Sequence, residues 1–244
     1  MLFINFSARL KVCASNPARP QSPKTLVAIF KMIRPPKQIS DRVTWAIDFA
    51  WYITIDKIVN GDIKVNKEAS LQLHYSTVLK TVLDLIKYSP KDRIEIELET
   101  TVVVAEKPYI IDILLSYTDG NISEKHSIEL KFYKTFASSG RKRGANDIFM
   151  RSVYEDLFYS ELYLKNQFAN KATCIILTDY KSFIYPKSKN TKNWTYDISQ
   201  GHTFSGGHFT TSVGGKNVDF KLSKKYKFDW KQNGNYWTTI LRPE

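Results

Sequence analysis

The segment that most constrains the fold runs from Lys107 to Tyr133, where two apolar runs, each carrying acid, flank a polar turn. The runs, Tyr109 to Leu115 and Ser127 to Phe132, are rich in the β-branched and aromatic residues that favour strands. Between them lies Asp119-Gly120-Asn121, where glycine can take a positive φ without steric cost. The segment is therefore predicted to be a β-hairpin.

The turn also fixes which side chains of the hairpin meet. With Gly120 and Asn121 as the central pair, Asp112 on the first strand lies opposite Glu129 on the second. Lys131 follows two residues later, and side chains two apart on a strand point to the same face. We expect these three polar groups to converge on one face of the sheet.

Two carboxylates this close repel each other unless one is protonated or a cation lies between them. Mg²⁺ prefers such oxygen ligands, and a lysine beside it can orient or activate a water or stabilise charge on a phosphate. The alternative is a Glu129-Lys131 pair on a solvated face with Asp112 at a strand end. Spacing alone leaves both interpretations open, because acid-x-lysine triplets also occur by chance.

The elements before the hairpin contribute two further acids. Helical periodicity predicts a helix from about Lys67 to Tyr88, with Glu68 on its buried stripe in the first turn. Glu68 either joins the acidic site or complements the helix dipole. The alternating run Arg93 to Thr100 predicts an edge strand, whose Glu99 is a weaker candidate ligand.

The elements after the hairpin predict a crossover unit. A long helix is expected from Asn146 or Asp147, followed by the continuous apolar strand Ala172 to Thr178, which is typical of a central strand. Turns at Gly214-Gly215 and Asn233-Gly234 predict extra β-hairpins within residues 200–244. The expected fold class is α/β, with a mixed central sheet flanked by helices.

Asp112 on one strand followed by Glu129-Leu130-Lys131 on the next resembles the PD-(D/E)xK signature of the restriction-endonuclease-like nuclease superfamily. The order of predicted elements from about residue 66 to 180, helix, three antiparallel strands, helix, strand, is similar to the core of that fold. One departure is Ile111, where the signature has proline; the nearest proline is Pro108.

The resemblance implies a function and a site. It implies a metal-dependent DNA endonuclease in which Asp112, Glu129 and Glu68 hold Mg²⁺, with Mn²⁺ as a substitute, and Lys131 assists the water. The competing interpretation is a catalytically silent nucleic-acid-binding module of the same fold in a larger DNA-processing complex. A homodimer is also compatible with the sequence.

Charge independently favours a polyanionic partner. The chain of 244 residues carries 36 Lys and Arg against 24 Asp and Glu, a net charge of +12. Next to the hairpin lies a glycine- and serine-containing basic segment whose Lys134, Arg141, Lys142 and Arg143 are candidate contacts for DNA phosphates. A solvated loop is the alternative interpretation.

Length predicts one globular domain over residues 39–244, preceded by an arm or short helix over residues 1–38. Two cysteines, Cys13 and Cys174, form neither a disulfide framework nor a metal motif, which favours a reducing cytoplasm. The sequence contains no apolar run of membrane-spanning length, so no membrane partner is expected.

Overall fold

The hairpin predicted at residues 107–133 is the centre of a mixed sheet in the computed structural model, which describes residues 35–137 and 139–244. The helices are α1 (Ile39–Val59), α2 (Glu68–Leu85), α3 (Asn146–Lys165) and the single turn α4 (Lys181–Ile184), with a 3-10 helix at Lys192–Tyr196. The strands are β1 (Arg93–Val104), β2 (Lys107–Thr118), β3 (Ser123–Tyr133), β4 (Lys171–Thr178), β5 (Thr203–Phe209), β6 (Phe220–Lys227), β7 (Lys231–Asn233) and β8 (Tyr236–Leu241).

The six strands of the main sheet lie in the order β1-β2-β3-β4-β8-β7, and β5 pairs with β6 in a separate two-stranded sheet. The first three strands are antiparallel, and β4 is parallel to β3 after the crossover through α3. The predicted α/β class and mixed sheet are confirmed. Residues 36–244 form one compact unit, while nearly all of the arm predicted at 1–38 lies outside the described residues.

One of the predicted C-terminal hairpins is not an appendage. The hairpin that turns at Asn233-Gly234 does form, but its second strand, β8, pairs antiparallel with β4 and so belongs to the main sheet. The apolar strand β4 is flanked by strands on both edges, and β8 satisfies the backbone groups that β3 leaves free. The turn at Gly214-Gly215 also forms, inside the connection from β5 to β6.

The register of the β2-β3 hairpin is the predicted one as far as Ile113–Ile128, where pairing ends one residue short of the predicted pair of Asp112 and Glu129. The pairs Ile113–Ile128 and Tyr117–Glu124 both follow from a turn centred on Gly120 and Asn121. Gly120 has a φ of 91°, a left-handed conformation that glycine adopts without strain. The Asp119 carboxylate accepts hydrogen bonds from the N–H groups of Asn121 and Ile122, which fixes the turn.

The two largest of three hydrophobic clusters in the described part of the chain cover the two faces of the sheet. On one face α1 and α2 pack against alternate strand residues, including Leu115, Ile128 and Leu130. On the other face α3 and the β5-β6 region pack around Tyr133 and neighbouring residues. Because strand side chains alternate, Glu129 and Lys131 project to the α3 side. Among the described residues, no helix is both long and apolar enough to cross a membrane.

His126 on β3 is a buried base held near a positive charge. Its Nε2 lies 2.8 Å from the Thr173 hydroxyl, which also accepts a hydrogen bond from Arg242. Burial, and then the charges of Arg242 and Lys171, lower the pKa of His126 from 6.5 to about 3. Unfolding therefore releases a histidine that takes up a proton near neutral pH.

We expect this histidine to make stability pH-dependent. The contribution is complete above pH 6.5 and is lost progressively as the pH falls toward 3, because only the unfolded state binds the proton in that window. Between pH 7 and pH 5 in urea unfolding, the wild type should lose more free energy of unfolding than His126→Gln does. The difference should be up to about 1.4 kcal/mol per pH unit. His74→Gln is the matched control; equal losses in wild type and His126→Gln would contradict the prediction.

Candidate active site

The candidate site lies where β2 and β3 part. Within the described chain, backbone pairing between these strands ends at Ile113 and Ile128, although both strands continue. Beyond that point the N–H of Leu130 donates to Asp112 Oδ2 at 2.8 Å, and the N–H of Phe132 donates to Glu68 Oε2 at 3.1 Å. Two carboxylates thus replace the partner strand at alternate residues of β3. We call this opening the fork.

Lys131 lies between Leu130 and Phe132 on β3, and its ammonium is surrounded by carboxylates. Its Nζ is 3.4 Å from Glu68 Oε1 and 3.1 Å from Asp156 Oδ2. Glu129, two residues earlier on the same face, is 4% exposed, and its Oε1 has no hydrogen-bond partner. The structure therefore brings Glu68, Asp112, Glu129 and Lys131 together, as the sequence predicts. Their chemical roles stay predictions.

Asp156 was missed in the sequence. It lies on α3, is 5% exposed, and is buried beside the apolar residues Val153 and Leu157. A signal was present, because Asp156, Ser160 and Tyr163 follow at intervals of four and three, which place them on one helical face. Helical periodicity counted only apolar residues and so passed over a buried polar stripe.

Gln72 is the second residue that sequence reasoning missed. It follows Glu68 by one helical turn, and its side-chain amide donates to Glu99 Oε1 at 2.7 Å and to the Asp112 carbonyl at 2.8 Å. Glu99 has a φ of 55°, a left-handed conformation that side chains other than glycine rarely adopt. The regular pairs Leu98–Ile113 and Thr100–Ile111 flank it, so the break in pairing is confined to Glu99 and Asp112.

The electrostatics of the site reflect an excess of acid. Four carboxyl groups (Glu68, Asp112, Glu129 and Asp156) interact here with a single ammonium group, that of Lys131, and Glu99 adds a negative charge near Asp112. Burial raises the pKa of Asp112 to about 6, against the hydrogen bond from Leu130. Burial, and then the charges of Asp112 and Asp156, raise the pKa of Glu129 well above its usual range.

The buried pair of Lys131 and Asp156 shows the same excess. Burial opposes the charge of Lys131, but Asp156 and Glu68 outweigh it and raise the pKa of the ammonium. A simple ion pair would lower the pKa of its acid, yet burial together with the charges of Glu68 and Asp112 raises the pKa of Asp156 to about 7. One ammonium cannot neutralise all of these acids.

This donor set fits a hard divalent cation. In residues 35–137 and 139–244 no three His, Cys, Asp or Glu side chains form a ready-made metal-binding group, and Lys131 is paired with both Glu68 and Asp156. The buried Glu129 Oε1 has no hydrogen-bond partner, and Asp112 uses Oδ2 for its hydrogen bond from Leu130. All the available ligands are carboxylate oxygens, which is the chemistry that Mg²⁺ requires.

The four predicted phosphate contacts have different environments. Arg141 and Lys142 are exposed and form no ion pair with any described residue, and Lys134 is half-buried. Arg143 is half-buried as well, and its Nη2 donates to the Asn66 carbonyl at 2.9 Å. Arg143 therefore has a structural contact that the sequence did not predict.

Strain at Glu99 can be measured by comparing two substitutions. Both Glu99→Gly and Glu99→Ala remove the carboxylate, but only alanine retains the Cβ that makes a φ of 55° costly. We expect the glycine variant to unfold with a free energy about 1 kcal/mol higher than the alanine variant. At Glu95, which pairs regularly with Ser116, alanine should be the more stable by about 0.5–1 kcal/mol. The same order at both positions would argue against strain.

The pair of Lys131 and Asp156 can be tested by a double-mutant cycle. Asp156→Asn and Lys131→Met each remove one charge of a buried contact, so the double variant should be more stable than additivity predicts, by about 0.5–3 kcal/mol. The exposed pair Lys80–Asp84 on α2 is the control and should couple by less than about 0.5 kcal/mol. Chemical unfolding of all variants provides the measurement, and additive effects at Lys131 and Asp156 would show that their contact is weak.

Comparison of the sequence with known proteins identifies no family for this chain. A scan against protein-family models finds no match to the chain, and a search of curated proteins finds no similar sequence. The functional interpretation therefore depends on the residues of the fork and on the signature they resemble.

Proposed function

We propose that this chain is a Mg²⁺-dependent DNA endonuclease and that residues 66–180 form a restriction-endonuclease-like core. The observation that carries the proposal is the fork, where acids from α2, β2 and β3 surround one lysine on the α3 side of the sheet. The acid-acid-lysine set expected from Asp112, Glu129 and Lys131 is intact, which favours catalysis over a silent binding module.

The charge balance supports a phosphodiester substrate. The whole chain has a net charge of +12, whereas the fork gathers four carboxyl groups around a single ammonium. A phosphate would be repelled by such a site unless a cation offset the acids. A cation held there, and basic residues outside the fork, reconcile an acidic site with a polyanionic substrate.

Asp112, Glu129 and Glu68 are the proposed ligands of the divalent cation. When bound, such an ion polarises a phosphoryl oxygen and holds the attacking water. Lys131 is held as an ammonium by its contacts with Glu68 and Asp156, so it donates hydrogen bonds to an oxygen that gains negative charge. Asp156 is the positioning residue that fixes the lysine from α3.

The test is cleavage of supercoiled and linear DNA by the purified protein, with Mg²⁺, with Mn²⁺ and with chelator. Wild type should nick or linearise the circles only with metal. Asp112→Asn and Lys131→Met should each lower the rate by roughly 10²–10³-fold, because each removes a charge at the reacting phosphate. Glu95→Gln and Lys125→Met are the matched controls, since both residues are exposed on β1 and β3.

Two results would overturn the endonuclease proposal. One is undiminished cleavage by Asp112→Asn or Lys131→Met with retained thermal stability, which would show that the activity lies elsewhere. The other is DNA binding by the wild type without cleavage in either metal, which would favour the silent binding module.

A further inference from the structure

The residues after β3 form a small hairpin beside the fork. The N–H of Arg143 donates to the Thr135 carbonyl at 2.7 Å, and the N–H of Ala137 donates to the Arg141 carbonyl at 2.9 Å. Phe136 and Lys142 are paired between these two hydrogen bonds. We call the described residues of this segment, 135–137 and 139–143, the basic hairpin.

The basic hairpin is tied to the elements that supply the fork. The backbone N–H and the hydroxyl of Thr135 donate to Asp179 Oδ1 at 2.6 and 2.7 Å, just beyond β4. On the other strand, the Arg143 guanidinium donates to the carbonyl of Asn66, two residues before Glu68. These contacts connect the hairpin to both sides of the site, which a freely solvated loop would not require.

Phe136 is the unusual residue of this hairpin. Its side chain is 53% exposed, although the nearby aromatic residues Tyr133 and Phe149 are buried. Phe136 and Lys142 form a pair without mutual backbone hydrogen bonds, so their side chains project to the same side with Cβ atoms about 4.5–5.5 Å apart. An exposed ring and a lysine ammonium that forms no ion pair with a described residue thus lie side by side.

Single exposed apolar residues are common on protein surfaces and alone indicate little. Here the ring belongs to an anchored hairpin, its neighbours Arg141 and Lys142 form no ion pair with the described residues, and the hairpin leaves β3 two residues after Lys131. A ring beside a cation is an arrangement that binds an unstacked base, because the base stacks on the ring while the cation contacts an adjacent phosphate.

We infer that the basic hairpin recognises DNA with unpaired nucleotides beside the cleavage point, with Phe136 stacked on an exposed base and Lys142 on a flanking phosphate. The substrate class is thereby narrowed from DNA in general to gapped, branched or single-stranded DNA. This inference rests on the proposed function, because it places the substrate at the fork.

The experiment compares oligonucleotides of one sequence, either fully paired or with a short single-stranded gap that contains 2-aminopurine. Affinity and 2-aminopurine fluorescence are measured with Ca²⁺ in place of Mg²⁺, so that a cation offsets the acids of the fork, and the DNA is checked for cleavage. Wild type should bind the gapped DNA more tightly than the duplex and should quench the probe. Phe136→Ala should lose roughly 5- to 100-fold in affinity for the gapped DNA and little for the duplex.

The control variants separate stacking from other contributions. Phe136→Trp keeps an aromatic face and should restore both affinity and quenching, whereas Phe136→Leu keeps apolar bulk and should not. Tyr52→Ala removes an equally exposed ring from α1, where 56% of the side chain is accessible, and should change nothing. Thermal unfolding verifies that each variant is folded.

Each contrary outcome is distinct. Equal losses on duplex and gapped DNA, or full affinity in folded Phe136→Ala, would overturn the stacking role and leave the proposed nuclease intact. Rescue by Phe136→Leu would assign the side chain to an apolar contact, as with a protein partner, and would also overturn it. A wild type that neither binds nor cleaves any of these DNAs would overturn both proposals.

Discussion

The fork depends on a backbone requirement. A strand that loses its neighbour leaves N–H groups without partners, and a buried N–H without a hydrogen bond costs about 1–3 kcal/mol. At Leu130 and Phe132 the partners are Asp112 and Glu68, which come from two different elements. The separation of β2 from β3 therefore holds two acidic side chains in place. The same interactions that stabilise the open sheet also position the candidate site.

The carboxyl groups of the fork lie close together and are partly buried, and the neighbouring residues offset their negative charge only in part. Lys131 neutralises some of the charge, and Asp156 holds the lysine from the opposite side. Burial, and to a smaller extent the charges of neighbouring carboxyls, still raises the pKa values of Asp112 and Glu129. A folded protein retains such a cluster at the expense of stability, which is a common property of sites with a function.

The sequence predicted the parts of the fold that follow from local rules. Gly120 set the turn, and the turn with strand alternation set the register and the shared face of Glu129 and Lys131. The sequence could not predict that the pairing of β2 with β3 ends at Ile113 and Ile128. Beyond this point an acid from α2 binds the backbone of β3, and such a distant contact leaves no local pattern. The place of β8 in the main sheet could not be predicted either, because strands that are distant in sequence leave no local pattern of their pairing.

Polar residues inside helices were the main gap in predicting the site. A search for apolar periodicity treats Asp156 and Gln72 as interruptions, yet both are buried because their polar atoms have partners in the sheet region. Burial of a polar residue is decided by those partners and not by its own hydropathy. A polar stripe at helical spacing, such as Asp156, Ser160 and Tyr163, is thus a useful sequence signal when a neighbouring strand carries acids.

The distribution of charge connects the acidic site with the basic remainder of the chain. A polyanion is attracted over distances of about a Debye length, roughly 8–10 Å at moderate salt, by the net charge of +12. At shorter range the buried acids of the fork oppose it, and their interaction is screened less than that of surface charges. A phosphate can therefore approach the fork only where cations offset those acids, and Lys131, with the basic hairpin beside it, lies at that boundary. Under the proposed function, this accounts for a lysine that is held by two carboxylates among the acids and not at the surface.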